Sequence, residues 1–242
     1  IGGISVGTMA LIIVLSVFNG FEDLVSSLFN TFDPDLKIEA KEGKTFNISD
    51  FPKDSIYNLE GVERLTEVVE ENVLLKYRSR QYIVSMKGLS SDYEDNNRLD
   101  SMIVEGELRL GNAGRPFAVV GLGVAWYLGM QLQDYLNPLE VYVPKRRNKA
   151  YLDISQAFNR ANISPSGIFS IQQDFDSRYI LVPIGFARKL LEYTNECTSL
   201  EAGLKKGVSL EEIQAKIQKI AGDAYSVKNR YQQQEMLYKI MK

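Results

Sequence analysis

The chain begins with Ile1-Gly-Gly-Ile-Ser-Val-Gly-Thr-Met-Ala-Leu-Ile-Ile-Val-Leu-Ser-Val-Phe18. This run contains no charged residue, and it decides how the rest of the chain is interpreted. A helix rises about 1.5 Å per residue, so this run would span roughly 27 Å, close to the ~30 Å hydrocarbon core of a bilayer. We therefore predict the end of a membrane helix. A cleaved signal peptide and a buried core helix remain alternatives, although no small-x-small cleavage site precedes Asn19.

The apolar pattern continues after this run, but at helical spacing. Its members are Phe21, Leu24, Val25, Leu28 and Phe29. Such a stripe is typical of an amphipathic helix, so we expect residues 1–32 to be a membrane helix that extends into a stalk. Asp33 ends it, because the residue before a proline disfavours helical geometry. At the other end of the chain, Tyr231–Lys242 is predicted to begin a second helix.

The composition of the chain argues against several classes of function. The 242 residues carry a net charge of -3, whereas proteins that bind nucleic acid usually present a strongly basic face. There is no histidine, and Cys197 is the only cysteine, so neither a Cys/His zinc site nor a histidine-activated nucleophile can be built. We therefore expect no catalytic residues, no metal, no cofactor and no nucleic acid. A membrane-anchored enzyme is the least favoured class.

Two parts of the chain show the same order of strand, helix and strand. The first has predicted strands at Leu36–Ala40, Val62–Tyr77 and Gln81–Lys87, with a helix from Ser49 to Gly61. The second has strands at Ser199–Leu204 and Tyr225–Lys228, around a helix that Ser209 and Glu212 cap and Gly222 ends. Two such units side by side form a split βαβ, or ferredoxin-like, layer. We predict an α+β fold in which this layer is discontinuous in sequence.

A long insertion of short elements separates these two parts. Ala118–Met130 is predicted to be a short helix, Leu139–Val143 a strand, and Pro144–Pro165 a long polar stretch. Gly167–Gln173 and Tyr179–Val182 are predicted strands, and Pro183 is placed to open a helix. The insertion is therefore expected to form a second, strand-rich subdomain.

Apparent motifs for chemistry have simpler interpretations. Gly43-Lys44-Thr45 looks like the end of a phosphate-binding loop, but Ile38 stands where the earlier glycine is needed, so a polar turn is favoured. Gly121-Leu122-Gly123 lacks the third glycine of a dinucleotide site, and a tight approach to a short helix is favoured. The acidic clusters at Glu70-Glu71 and 92–95 are interpreted as solvated surface, and Cys197 as a structural thiol.

The basic stretch Pro144–Ser164 is the strongest candidate for a binding site. It carries five basic residues and one acidic residue, although the whole chain is acidic. A connection of this length within a compact domain usually has a function, and apolar side chains between its charges could act as anchors inside a charged rim. We interpret it as a docking loop, with a mobile solvated loop as the alternative. The predicted contact residues are Lys145, Arg146, Arg147, Lys149, Tyr151, Leu152 and Phe158.

Several segments resemble the lipoprotein-releasing ABC transporter permeases of the LolC/LolE type. The most specific is Leu15-Ser-Val-Phe-Asn-Gly-Phe-Glu22, which resembles the end of the first membrane helix in that family. Val119–Val143, Gly167–Ser170 and Tyr179–Pro183 resemble later segments of the family's soluble domain, and Leu237–Lys242 its lead into the second membrane helix. The resemblance implies a type VII, MacB-like permease of the FtsX-like superfamily, whose extracytoplasmic domain lies between membrane helices one and two.

The same resemblance implies an identity for each predicted part. Residues 1–32 would be the end of the first transmembrane helix and its stalk, and 231–242 the stalk helix that leads to the second. Residues 33–94 and 195–230 would be the two halves of a porter-like subdomain, and 95–194 an inserted Sabre-like subdomain. Pro144–Ser164 would correspond to the hook, the hairpin that captures the periplasmic lipoprotein carrier in LolC-type subunits.

The function implied by the resemblance is transport by mechanical coupling. A separate cytoplasmic ABC ATPase subunit would hydrolyse ATP, and a second permease subunit would complete the complex. Lipoprotein cargo would pass from the bacterial inner membrane to the carrier, with this domain facing the periplasm. A MacB-like export permease and an FtsX-like regulator of a cell-wall hydrolase share the architecture and are the alternatives.

Overall fold

The computed structural model describes residues 7–18, 34–93, 99–112, 114–134, 136–145, 157–205 and 207–233. The chain divides into two compact units, Ile1–Asp33 and Pro34–Lys242. In the first unit, residues 7–18 form a helix, α1, with eight large apolar side chains that are each at least 52% exposed. Within the described ranges, no helix is both long and apolar enough to cross a bilayer. The predicted stalk segment 19–32 and residues 234–242 lie outside the described residues.

The second unit is built mainly of strands. They are β1 Leu36–Ala40, β2 Phe46–Asn47, β3 Val62–Tyr77, β4 Arg80–Leu89, β5 Ile103–Gly106, β6 Gly111–Asn112, β7 Arg115–Gly121, β8 Leu139–Pro144, β9 Phe158–Phe169, β10 Tyr179–Pro183, β11 Glu196–Cys197, β12 Ser199–Leu204 and β13 Tyr225–Asn229. The helices are α2 Lys53–Tyr57, α3 Leu122–Leu128, α4 Gln173–Asp176, α5 Ile184–Leu191 and α6 Leu210–Ala221.

Four strands form a sheet with helices in its connections. β13, β1, β12 and β3 lie side by side in that order, and each neighbouring pair is antiparallel. β1 therefore runs parallel to β3, and β12 runs parallel to β13, with α2 and α6 in the respective connections. Ser209 caps α6, because its hydroxyl accepts a hydrogen bond from the Glu212 N–H. We name these four strands with α2 and α6 the helix-backed sheet.

Six strands close into a ring. Its order is β3-β4-β10-β7-β9-β8, and β8 closes the ring by pairing with both β9 and β3. β10 is parallel to β4 and β7 is parallel to β9, while the other four pairs are antiparallel. The side chains of Leu75, Met86, Val120, Val141 and Ile180 are fully buried. We name this region the strand ring.

The strand β3 belongs to both regions because it is 16 residues long. Near its start it pairs with β12 of the helix-backed sheet, and near its end it pairs with β8 of the strand ring. Ile38 of the sheet and Val141 of the ring belong to one continuous hydrophobic cluster. The two regions therefore share a strand and a core.

Several predicted elements are confirmed. β1, β3 and β12 have the predicted bounds, the chain contains both helices and strands, and α5 opens directly after Pro183. α6 ends at Gly222, which has a φ of 81° and so adopts a conformation that favours glycine.

The prediction of a polar stretch from Pro144 to Pro165 is wrong for its second half. β9 begins at Phe158. The Asn, Ser and Pro residues of this segment favour turns, but Ile163 is buried opposite Leu139, and pairing with β8 and β7 outweighs the local preference. Pro165 lies beside an irregularity in the β7–β9 pairing, a place where a strand tolerates a proline.

Three other predicted bounds are wrong. The predicted helix Ala118–Met130 begins as strand, because Ala118, Val119 and Val120 are fully buried between β10 and β9. A short apolar run fits a buried strand as well as a helix. The predicted strand Gly167–Gln173 ends with β9. The predicted helix from Ser49 is interrupted at Pro52, and its first turn is capped by Asn47.

The interpretations of the glycine motifs are confirmed. A Cβ at Gly121 would lie 2.2 Å from the carbonyl oxygen of Asp176, and one at Gly123 would lie 2.8 Å from the Cα of Ser177. These glycines therefore permit the close approach of α3 to α4. Gly43 lies in the turn after β1 with a φ of 81°.

The acidic pair and the cysteine have defined surroundings. The Glu70 carboxylate accepts a hydrogen bond from the Tyr179 hydroxyl at 3.1 Å, and Glu71 pairs with Lys44 at 2.5 Å. Both carboxylates are partly exposed, as the interpretation of a solvated surface expects, and each also has a protein partner. Cys197 is buried, and burial raises the pKa of its thiol to about 12.

Candidate docking hairpin

The predicted docking loop lies at the end of a regular hairpin. β8 and β9 pair without a break from Leu139 opposite Ile163 to Pro144 opposite Phe158. The pairing extends one step further, because the Lys145 N–H donates a hydrogen bond to the Ala157 carbonyl at 2.8 Å. Residues 146–156 connect these two ends, and they lie outside the described residues.

The stem of this hairpin is held on both sides. β8 alternates apolar and polar residues, as expected for a strand with one buried face. Leu139, Val141 and Val143 point into the core and are buried. The strand is hydrogen-bonded to β9 on one edge and to β3 on the other. A strand paired on both edges and packed on one face is a rigid base for the connection that it carries.

The outer face of the stem carries a small network of polar side chains. Lys76 on β3 lies opposite Glu140 on β8, with 3.2 Å between their charged atoms, and Tyr142 donates a hydrogen bond to the same carboxylate. Hydrogen bonds from Tyr142 and Lys76 lower the pKa of Glu140, and the nearby charge of Arg160 acts in the same direction. The bond to Glu140 raises the pKa of Tyr142. At neutral pH the network therefore joins an ionised carboxylate to strands β3, β8 and β9.

A further contact fixes the beginning of β9. The Asn159 side chain donates a hydrogen bond to the Leu190 carbonyl in the last turn of α5, at 3.0 Å. This contact uses a carbonyl that the helix itself leaves without an intrahelical partner. β9 is thus also fixed to α5 next to the point where the connection leaves the stem.

The structure places the predicted contact residues in two groups. Lys145 and Phe158 lie at the base of the connection, and the Phe158 side chain is 36% exposed. Arg146, Arg147, Lys149, Tyr151 and Leu152 fall within 146–156, so their predicted role stays a prediction. The sequence interpretation missed the stem network of Lys76, Glu140, Tyr142 and Arg160. The alternation in Leu139–Val143 indicates which side chains share a face, but only pairing with β3 brings Lys76 to them.

The first and last strands of this unit lie side by side. Leu36, at the start of β1, lies opposite Asn229, at the end of β13. Asp35 accepts a hydrogen bond from the Leu204 N–H at 2.7 Å and also pairs with Arg230, directly after β13. An ion pair therefore joins the residue before β1 to the residue after β13.

The part of the chain that the structure describes contains no group of carboxylate and thiol side chains arranged to hold a metal ion. At the described base of the hairpin, Lys145 supplies a charge and Phe158 an exposed apolar side chain. The geometry of the hairpin suits recognition of another molecule.

Comparison with known proteins identifies the class of this domain. Residues 1–152 match the family described as the MacB-like periplasmic core domain. The fold and this match define a periplasmic domain of the MacB- and LolC-like permease type. The chain belongs to the MacB-like periplasmic core domain family. The resemblance based on Leu15–Glu22 is thereby confirmed.

One relative is the lipoprotein-releasing system transmembrane protein LolC of Buchnera aphidicola subsp. Schizaphis graminum (strain Sg). It is 24% identical over 204 residues, which are 84% of this chain and 49% of the relative. The chain thus spans about half the length of this protein.

Two solved structures share the fold. The periplasmic region of MacB from Actinobacillus actinomycetemcomitans has a TM-score of 0.55 at 12% identity, covering 88% of this chain and 98% of that one. The extracellular domain of the noncanonic ABC-type transporter YknZ from Gram-positive bacteria has a TM-score of 0.52 at 13% identity, covering 80% and 99%. These likenesses show the architecture alone.

Proposed function

We propose that this chain is the extracytoplasmic part of a lipoprotein-releasing permease, and that its β8–β9 hairpin docks a soluble periplasmic carrier. The observation that carries the proposal is the hairpin itself, in which a stem fixed in the strand ring presents a basic connection. The relative named as part of a lipoprotein-releasing system supports the choice of cargo.

The charges of the connection favour an acidic partner. Residues 146–156 contain three basic residues, Arg146, Arg147 and Lys149, and one acidic residue, Asp153, in a chain whose net charge is -3. Such a local excess steers association with a surface of opposite sign. Tyr151 and Leu152 add apolar area that could be buried at the centre of the contact, which is where interfaces gain most of their affinity.

We assign the two regions of the fold to the two predicted subdomains. The helix-backed sheet corresponds to the split βαβ, porter-like part, from residues 33–94 and 195–230. The insertion 95–194 corresponds to the Sabre-like part, and it completes the strand ring by using β3 and β4. The parallel directions of β1 and β3, and of β12 and β13, each with one antiparallel strand between them, support the first assignment. The closure of the ring by β8 supports the second.

The two chain connections support a mechanical role. Segments 1–32 and 231–242 act as stalks that lead to two helices of the inner membrane, and the exposed apolar surface of α1 would be covered by lipid or by other helices. Because both connections start at Leu36 and Asn229, a movement of the stalks reaches the helix-backed sheet at one point. A separate cytoplasmic ABC ATPase supplies the energy, a second permease subunit completes the complex, and the chain itself performs no chemistry.

Charge reversal in the hairpin tests the proposal. In the full-length permease, the triple variant R146E/R147E/K149E should weaken binding of the organism's soluble lipoprotein carrier at least about tenfold at low salt. The difference should shrink as salt is raised, because exposed charges are screened. Binding can be measured by surface plasmon resonance with the purified permease immobilised.

The control changes the net charge equally on another surface. K41E/K216E/K219E reverses three exposed lysines outside the hairpin, and it should leave carrier binding within about twofold of the unmodified protein. Equal binding of the hairpin variant and the unmodified permease would exclude the hairpin as the docking site.

A further inference from the structure

An exposed aromatic surface lies at the end of the strand ring, apart from the hairpin. Trp126, the only tryptophan of the chain, is 81% exposed, and its neighbour Tyr127 is 49% exposed. Together with Arg80 and Gln81 they line an open cavity of about 660 Å³. We name these four residues the aromatic notch. Adjacent aromatic and arginine side chains are enriched at protein interfaces relative to the rest of the surface.

The aromatic notch is carried by a rigid element. The opposite face of α3 is buried through Val124, Ala125 and Leu128. The Tyr127 ring packs against Tyr82 of β4, with 4.3 Å between the ring centroids. The exposure of Trp126 therefore results from the seating of α3 on the ring.

The arginine of the notch is oriented but still available. The Arg80 guanidinium donates one hydrogen bond to the Tyr127 carbonyl at 3.0 Å. Among the described residues no carboxylate forms an ion pair with it. The carboxylate of Asp134, at the same end of the ring, is occupied by Arg78, by the Tyr77 hydroxyl and by Asn137. A guanidinium carries five N–H donors, so the remaining ones can bind a carboxylate in the two-pronged geometry.

The notch and Asp35 lie at opposite ends of β3. β3 starts at Val62 and ends at Tyr77. Val62 lies opposite Leu204, whose N–H donates a hydrogen bond to Asp35, so the start of β3 lies next to Asp35. The 16 residues of β3 span about 50 Å. Arg80 follows directly after the turn at the far end. Within the part of the chain that the structure describes, the exposure of Trp126 and Tyr127 leaves the notch open to solvent.

We propose that the aromatic notch is a second docking surface, which binds a soluble protein through an acidic side chain next to an apolar one. The acidic group pairs with Arg80, and the apolar group packs on Trp126. Tryptophan, tyrosine and arginine are the residues that dominate the affinity of protein interfaces. A symmetric contact between two copies of this chain is disfavoured, because it would place Arg80 against Arg80 with no carboxylate in the lining.

The first experiment asks what covers the notch in the cell. A photoreactive benzoylphenylalanine replaces Trp126 in the full-length permease in its native membrane, and crosslinked products are identified by mass spectrometry. The expected product joins the permease to one soluble protein, crosslinked at or beside an acidic residue. A crosslink to lipid, a crosslink to a second permease copy, or no crosslink would each overturn the proposal.

The second experiment measures the chemistry with the identified protein in purified form. W126A should weaken its binding to the full-length permease about 30-fold, and R80Q about tenfold, as expected for a central aromatic anchor and a charged pair. R80E combined with a lysine at the crosslinked acidic position of the partner should restore most of the loss. Unchanged binding by W126A, or no restoration by the exchanged charges, would contradict the proposal.

Matched controls separate this surface from misfolding and from the hairpin. Tyr57 is an exposed aromatic residue on another short helix, and Y57A should leave binding unchanged. The melting temperature of W126A should equal that of the unmodified permease, since the side chain is largely exposed. R146E/R147E/K149E should not affect binding at the notch, so failure of the hairpin proposal and failure of this one are distinguishable.

Discussion

The helix-backed sheet and the strand ring reach stability by different routes. In the sheet, α2 and α6 lie in the connections between strands, so the elements that cover it come from nearby in sequence. In the ring, closure requires β8 to pair with β3. The paired residues Glu140 and Lys76 are more than sixty residues apart in the sequence. The ring also depends on close backbone contacts, such as that of Gly121 with Asp176.

This difference teaches where the molecule tolerates change. A helix on a sheet can adjust its packing by small shifts, and exposed substitutions on it cost little. A closed ring cannot shift one strand without disturbing its neighbours on both sides. We therefore expect contacts within the ring, and between the ring and the sheet, to be the most sensitive positions in the soluble unit.

The largest expected effect comes from the ion pair that joins the two regions. Lys87 on β4 lies 2.9 Å from Glu201 on β12, and their side chains are 5% and 7% exposed. K87M leaves the Glu201 charge buried without this partner and should lower the free energy of unfolding by about 3–5 kcal/mol. Urea unfolding measures the loss, and hydrogen exchange should show lower protection in both regions together.

The matched control removes both charges. K87M/E201L replaces the pair by apolar side chains, and its stability should lie much closer to that of the unmodified protein. If K87M alone were as stable as the unmodified protein, the pair would not couple the two regions.

A smaller effect is expected from a glycine inside the ring. G121A places a methyl group where the Asp176 carbonyl oxygen lies only 2.2 Å away. The backbone must move, which should cost about 2–3 kcal/mol. Calorimetry measures the loss, and hydrogen exchange should show the largest change in β7 and α3.

The same substitution at another glycine should change the stability in the opposite direction. Gly185 lies in α5, and a Cβ there meets no atom within 4 Å. G185A should raise the free energy of unfolding by about 0.5–1 kcal/mol, because alanine favours the helix. Destabilisation by both variants to the same extent would mean that the close approach in the ring is not the cause.

The smallest effect concerns a carboxylate between α2 and α5. Glu67 on β3 lies 2.6 Å from Lys53 and 2.9 Å from Arg188. Burial by itself would raise the pKa of Glu67, but the hydrogen bonds from Lys53 and Arg188 outweigh it and lower the pKa below 4.5. Because the folded pKa is depressed, this stabilisation is present at neutral pH and is lost as the pH falls below about 4.5.

The variant E67Q should therefore be less stable by about 1–2 kcal/mol at pH 7. It should also lose less stability than the unmodified protein when the pH is lowered from 6 to 3. E63Q changes an exposed carboxylate on the same strand and should reproduce the unmodified pH dependence. Urea unfolding across this pH range checks the prediction, and parallel curves for E67Q and the unmodified protein would refute it.

The sequence was most informative for the helix-backed sheet. Ser209, Glu212 and Gly222 bound α6, and β1, β3 and β12 were predicted with their observed limits. Caps, helical spacing and strand-forming runs act within a few residues, so they are visible in the sequence. The motif Leu15–Glu22 likewise indicated the family without any structure.

The sequence was less informative for the strand ring. Ala118–Gly121 was assigned to a helix and residues 158–165 to a polar stretch, but both are strands, because burial and pairing with neighbouring strands outweigh their local preferences. The same holds for the candidate sites. Composition predicted a basic docking loop, whereas the rigidity of its stem follows from the pairing of β8 with β3.

The sequence by itself determined the family, the strands of the sheet, the capped helix α6 and the basic character of the 144–164 segment. The tertiary structure alone decided the closure of the ring, the ion pair of Lys87 with Glu201 and the exposure of Trp126. The physical reason is the range of the forces involved. Local preferences act between neighbours in the chain, while burial and cross-strand pairing depend on residues that only folding brings together.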